Sequence, residues 1–434
     1  MSFAAPAVLA VFCLAYALVF AEEKLHLRKS KPVMVAAGVI WIIIAAGLAA
    51  DGRGPEVSDK IRHVVLEYAE LLLFLLSAMS FVNALVERRL FDALRSRLTA
   101  ARVSVRGIFW LTGISAFLLS PVADNLTTAL VMGTVAITAL SGQKKAIVIT
   151  LISIVVAANA GGAFSPFGDI TTLMIWQKNK VEFFEFFALF VPSLVNWLVP
   201  AVLMSLFLPK GRIEGDGKRI TVRKGGFVIA GLFLAAIALT VTLDNTLHLP
   251  PFLGMMTGLG VLNLYGYFLH RHETRAIAAA TGGEMRPFNI FEIFAKLEWD
   301  TLLFFYGIML SVGGLAAVGY LHGLSELLYT GAGPTIANTV IGILSAVVDN
   351  IPLTYAVLLM DPVMNHGQWL LITLTAGVGG SLLSIGSAAG VALMGAGRGY
   401  YTFGSHLKWS WVVALGYAAA IAVHLWLNAG LFAG

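Results

Sequence analysis

Two short stretches hold carboxylates where carboxylates are costly. Ser120-Pro121-Val122-Ala123-Asp124-Asn125 and Ser345-Ala346-Val347-Val348-Asp349-Asn350 share a serine, three residues and an Asp-Asn pair, and each lies in sequence apolar enough to sit in a bilayer. An ionisable side chain at membrane depth is by default functional, because keeping it there is expensive. A carboxylate beside an amide offers hard oxygen donors, suited to Na+, Li+ or H+ rather than to soft metals.

A second pair of landmarks follows. Gly161-Gly162-Ala163-Phe164-Ser165-Pro166-Phe167-Gly168-Asp169 is echoed by Gly379-Gly380-Ser381-Leu382-Leu383-Ser384-Ile385-Gly386-Ser387, with the glycines in register. Proline and clustered glycine break a helix, and backbone freed at membrane depth is tolerated only where it lines a polar cavity. Close helix crossing also explains Gly-Gly pairs, but not Asp169. One site is therefore expected from Asp124, Asn125 and the Ser165–Asp169 loop with Gly168, and an inverted counterpart from Asp349, Asn350 and Ser384–Ser387. Carbonyls at the C-terminal ends of half-helices are expected to contribute. Ser387 stands where the first loop has Asp169, so the first site, with Asp124, Asn125 and Asp169 around Na+, is expected to be the stronger. Asn159, just before the first break, is either a further ligand or a packing amide.

Several carboxylates in one poorly hydrated cavity cannot all stay ionised cheaply, so such a cluster takes up a proton or a metal cation in competition. That competition is the minimal machinery of antiport. Each charge moved through the membrane field is worth ~2.3 kcal/mol per 100 mV, so unequal exchange could use the potential. A di- or tricarboxylate would be repelled by the two tip aspartates.

The elements that must position these residues are membrane helices. The chain has 434 residues, 58% of them hydrophobic and 12% charged, too apolar for one soluble core and typical of an all-α polytopic membrane protein. The single Cys13 cannot form an intrachain disulfide, and no Cys/His spacing reads as zinc. No cofactor is expected, only transported ions. The net charge of +5 reflects topology rather than nucleic-acid binding. Runs of spanning length, ~20 residues, lie at about 3–21, 33–50, 64–86, 187–208, 226–243, 252–269, 301–320 and 409–430. The first resembles a signal peptide at Val19-Phe20-Ala21, yet its positive charges, Lys24, Arg28, Lys29 and Lys31, follow it, which favours an uncleaved helix.

Placing those charges in the cytoplasm orients the rest by the positive-inside rule. The segment at about 107–140 has basic flanks on both sides, Arg102 and Arg106 before and Lys144 and Lys145 after. It reads as a re-entrant hairpin turning at Ser120–Asn125. The broken segment 146–176 then crosses outward and 187–208 inward, to a cytoplasmic linker at 209–225. The second half enters its own hairpin, about 334–360, from the other side, and its broken helix, about 369–397, precedes the last span. An amphipathic interfacial stretch is expected around Phe288–Trp299. All Lys and Arg except Arg53, Lys60, Arg62, Lys178 and Lys180 fall inside, including Arg212, Lys218, Arg219 and Arg286, and both termini fall outside. Residues 1–208 and 226–434 thus read as an inverted-topology repeat, each half with a re-entrant helical hairpin and an interrupted transmembrane helix.

The paired Asp-Asn tips, the Gly161–Thr172 run and the Gly380–Ala388 run resemble the NhaD-type Na+/H+ antiporters of bacteria, members of the ion transporter superfamily that includes citrate, dicarboxylate and arsenite carriers. The resemblance covers nearly the whole chain. It implies Na+ and Li+ export from the cytoplasm for protons across the inner membrane, a homodimer joined by scaffold domains, and an elevator-like movement of the hairpin-bearing part. It also implies that Asp124, Asn125, Asp169, Thr171, Asp349, Asn350 and Ser387 line the cation path. The dicarboxylate carriers of the superfamily have Ser-Asn-Thr tips; Asp replaces that Ser here at both tips, against a carboxylate cargo.

Other residues have plainer readings. Glu67 and Glu70 share a helix face and are expected to snorkel or to pair with Arg62; His424 reads as a packing histidine; Trp176, Trp197, Trp369 and Trp409 read as an interfacial belt; Asp300 and Asp361 read as solvated. An arsenite permease and a sodium-coupled carboxylate symporter stay open as alternatives. An intramembrane aspartyl protease needs a Gly-x-Gly-Asp element, which Pro166 spoils.

Overall fold

The computed structural model describes residues 4–25, 27–49, 54–100, 104–211, 220–279 and 287–433. Arg53, Arg102, Arg212, Lys218, Arg219 and Arg286, used above to read topology, lie outside the described residues, as does the middle of the 209–225 linker. Among the described residues the chain is all helical, and nine helices are long and apolar enough to cross a membrane. The protein is a multi-pass membrane protein. Each interrupted segment is a pair of helices. The expected 107–140 hairpin is Val105–Ala123 followed by Asn125–Ala139, and the 334–360 hairpin is Pro334–Leu344 followed by Asn350–Met360. The first broken helix is Lys144–Gly162 and Ile170–Gln177; the second is His366–Gly379, a 3-10 turn at Gly380–Leu382, and Ala388–Ala396.

The chain divides into two compact units, each drawn from both ends of the sequence. The first comprises Met1–Ala93 and Ile220–Tyr320. Its longest helix, Gly54–Glu87, has 34 residues, about 50 Å at 1.5 Å per residue, more than a bilayer needs. Helix Ser30–Ala49 lies against Trp299–Ala317, where a Cβ on Gly307 would come within 2.7 Å of the Val33 carbonyl carbon. Ser30 also donates to Asp300, so Asp300 is partnered rather than simply solvated. Glu67 pairs with His63 at 2.9 Å, since residues four apart share a helix face. Past the end of the long helix, Arg88 is 1% exposed; it is held by Glu87, by Glu273 at 2.5 Å and by the Lys224 carbonyl, over the Phe288 ring. Burial opposes its charge, but hydrogen bonds and attraction from Glu87 and Glu273 hold its pKa above the ordinary arginine value. The expected interfacial stretch near 288–299 holds the short helix Ile290–Ala295, capped by Asn289.

The second unit comprises Leu94–Arg219 and Leu321–Gly434 and contains both hairpins and both broken helices. Glycine lets their backbones touch. A Cβ on Gly161 would sit 2.3 Å from the Phe117 carbonyl oxygen, and one on Gly379 would sit 1.9 Å from that of Gly342. The belt reading fails for three tryptophans: Trp176, Trp197 and Trp369 are buried. Trp197 stacks on Phe117 and donates to Ser153 at 3.1 Å; aromatic packing, not the interface, holds it. His424 is buried and bonded to the Gly367 carbonyl at 3.0 Å, as a packing histidine should be.

Gly379→Ala must push two backbones apart, beyond the ~1–3 kcal/mol of ordinary overpacking, and is expected to cut folded yield and thermal midpoint in detergent. Gly395→Ala, with open space at its Cβ, should leave both unchanged; equal behaviour of the two variants would show that the crossing is not tight.

Candidate cation site

Asp169 caps helix Ile170–Gln177 and is 6% exposed. Its Oδ1 accepts the Thr171 backbone N–H and the Thr171 hydroxyl, each at 3.0 Å. From the hairpins, Asn125 Nδ2 donates to Oδ2 at 3.3 Å and Asn350 Nδ2 reaches the same oxygen at 3.3 Å. Asn125 and Asn350 are each the first residue of a helix. Three helix N-termini therefore meet at one carboxylate, and their dipoles favour negative charge there. The sequence pointed to a site at each tip and to carboxylates sharing one cavity; Asp169, bonded to Asn125 and Asn350, joins both tips.

Asn159, fully buried, accepts from Asn125 Nδ2 at 3.2 Å and donates to Ser381 Oγ at 2.8 Å. Among the described residues, Asn159 is linked to Asp169 only through Asn125, whose Nδ2 donates to both. At Gly377 a Cβ would lie 3.8 Å from Asp169 Oδ2, so the second broken helix passes the carboxylate with no side chain in between.

The remaining residues support this ring. Asp124 has φ 55° and ψ 160°, a region sparsely populated outside glycine that costs ~1–3 kcal/mol. Its carboxylate accepts from the Thr127 N–H at 2.7 Å and the Thr127 hydroxyl at 2.9 Å, capping Asn125–Ala139. Ser165 Oγ donates to the Pro121 carbonyl at 2.9 Å. Gly168 admits the Ser120 carbonyl oxygen 2.9 Å from where its Cβ would be. Ser387 caps Ala388–Ala396 through the Gly390 N–H at 3.2 Å, and Ser384 Oγ is buried with no hydrogen-bond partner among the described residues. None of the hydrogen bonds of Ser165, Ser384 or Ser387 reaches Asp169.

Three serines were not singled out from the sequence. Ser120 donates to the Ala158 carbonyl at 2.6 Å and Ser345 to the Ala376 carbonyl at 3.0 Å. Each ties a hairpin tip to the broken helix beside it. The signal was present, since both repeated tips open on serine. Ser381, the third, sits inside the second glycine run. Chemically, the ring offers one carboxylate and several amides that can present either N–H or oxygen, a set able to hold a proton or a small hard cation.

A family model described as citrate transporter, CitMHS, matches residues 2–377. The Na+/H+ antiporter NhaD of Alkalimonas amylolytica is 54% identical over 440 residues, 98% of this chain and 91% of that protein. The Na+/H+ antiporter NhaD of Halomonas elongata is 52% identical over 98% of this chain and 88% of its own length. Sodium/proton antiporter 1 of Arabidopsis thaliana is 32% identical, covering 96% and 71%.

Asp124→Asn keeps an oxygen for the Thr127 N–H and is expected to leave thermal stability nearly unchanged. Asp124→Ala removes the cap and should cost about 1 kcal/mol; equal midpoints for the two variants in detergent would mean that the carboxylate does not hold the tip.

Proposed function

Because the chain belongs to the citrate transporter family and to its NhaD-type branch, we propose that it is a secondary active transporter exchanging cytoplasmic Na+ or Li+ for external protons. The observation that carries this reading is the buried Asp169, held by the amides of both hairpin tips. A carboxylate so placed is neutralised either by a proton or by a small cation, so binding one releases the other. Rotation of Asn125 or Asn350 would turn an amide oxygen toward the cation in place of an N–H, and Asn159 already turns Oδ1 toward Asn125. Asp124, Asp349, Ser165, Thr171, Ser384 and Ser387 complete the proposed path.

The architecture we propose is an inverted repeat of 1–208 and 226–434. Matching contacts in the two halves support it: Ser120 to Ala158 with Ser345 to Ala376, and Gly161 against Phe117 with Gly379 against Gly342. The arms Pro334–Leu344 and Asn350–Met360 have 11 residues each, about 16 Å and half a bilayer, which fits a re-entrant hairpin. Both hairpins and both breaks belong to one compact unit, which fits an elevator-like movement of that unit. The proposed setting is the bacterial inner membrane, with both termini outside, as a homodimer.

The description of the matching family favours a second reading, a sodium-coupled di- or tricarboxylate symporter. The carboxylates of Asp124, Asp169 and Asp349 on the proposed path argue against it, because an anionic cargo would be repelled by them. A pH-jump assay in everted vesicles separates the readings. Na+ and Li+, but not K+, should drive proton release from the vesicle interior; Na+-dependent succinate or citrate uptake without such exchange, or arsenite transport alone, would overturn the proposal.

Asp169→Asn is expected to abolish the Na+-driven proton signal while inserting and folding normally. Asp124→Asn should raise the apparent Na+ constant about tenfold, equivalent to ~1.4 kcal/mol; wild-type titrations for both variants would remove these aspartates from the mechanism.

A further inference from the structure

A helix that unwinds leaves its last carbonyls without partners, and in an apolar region water does not replace them. The first break satisfies itself. Ser165 N–H bonds the Gly162 carbonyl, Gly168 N–H bonds the Ser165 carbonyl, and Ser165 Oγ turns to the hairpin tip. In the second break Leu383 occupies the place of Ser165 and has no hydroxyl to offer. Gly386 N–H still bonds the Leu383 carbonyl, but the two carbonyls before it are taken up from downstream: Ser410 Oγ donates to Leu382 at 2.6 Å, and His406 Nε2 lies 2.9 Å from the Ser381 carbonyl oxygen.

A carbonyl only accepts, so His406 Nε2 carries the hydrogen. Its Nδ1 faces the Tyr401 hydroxyl at 2.7 Å and accepts from it. Both side chains are buried. Burial pushes the imidazole down to about 4, against hydrogen bonds to Ser381 and Leu382 that favour its charge. The group is therefore neutral above the ordinary imidazole range, and its contribution to stability is lost only as pH falls from there through about 4.

The same Ser381 accepts from Asn159 through its Oγ. We propose that His406 is a positioning residue for the cation site: it fixes Ser381, and Ser381 in turn fixes the Asn159 amide so that Oδ1 faces Asn125 beside Asp169. This rests on the exchanger reading above.

The test compares wild type with His406→Phe, His406→Gln and Ser381→Ala in everted vesicles, titrating Na+ and recording the pH profile, with thermal midpoints in detergent alongside. His406→Phe is expected to raise the apparent Na+ constant about tenfold, ~1.4 kcal/mol, with a smaller change in maximal rate. His406→Gln, whose amide N–H reaches the same carbonyl, should recover most of that loss and keep the wild-type pH midpoint. Should His406→Phe fail to fold, Ser381→Ala supplies the decision, since it removes the Asn159 acceptor and should raise the constant by a similar factor. An unchanged Na+ constant in His406→Phe, or in Ser381→Ala, would overturn the inference alone. So would a displaced pH midpoint in His406→Gln, which would make His406 a titrating group. Absence of any Na+ response in wild type would instead remove the exchanger reading, and this inference with it.

Discussion

A carboxylate as buried as Asp169, 6% exposed, must be solvated largely by protein, and the arrangement of the tips and breaks around it meets that need. Leaving such an ion unsolvated would cost several kcal/mol. The donors that reach it are neutral: the Thr171 N–H and hydroxyl and the amides of Asn125 and Asn350. A lysine or arginine would satisfy the charge permanently and leave nothing for a passing ion to do. Neutral donors stabilise the anion while leaving its net charge open to a proton or a metal cation, which is the condition an exchange site has to meet.

Bringing those donors together sets the backbone's demands. The tips and breaks must approach more closely than side chains allow, hence glycine at 161 and 379 against the carbonyls of Phe117 and Gly342. Each approach strands polar groups, and serine collects them: Ser120 and Ser345 on the flanking helix, Ser165 on the first tip, Ser410 on the second break. Asp124 holds its own turn at a backbone angle that only glycine adopts freely, with its carboxylate serving as the cap that secures it.

Much of this was legible in the sequence, because a polar residue inside an apolar run costs too much to be kept there without a task. Asp124-Asn125, Asp349-Asn350, the glycine runs and Asp169 all marked themselves that way, and seven of the nine long apolar helices among the described residues coincide with runs read from hydropathy. What the sequence did not reveal was direction. Nothing in Asp-Asn says that the asparagine points to Asp169 while the Asp124 carboxylate turns back to Thr127; that depends on helix starts, known only in three dimensions. His406 sits between apolar segments where a solvated loop is the ordinary reading, so its burial was invisible. The tryptophans misled for the opposite reason: Trp176, Trp197 and Trp369 lie near span ends in sequence but pack inside the fold.

The two breaks also differ in what they lean on. The first is closed by a serine within its own loop, whereas the second borrows Ser410, the first residue of helix Ser410–Leu427. The second loop is therefore tied to a full-length helix downstream of it, while the first is tied to the hairpin helix Val105–Ala123 through Pro121. A load placed on both breaks passes into different helices.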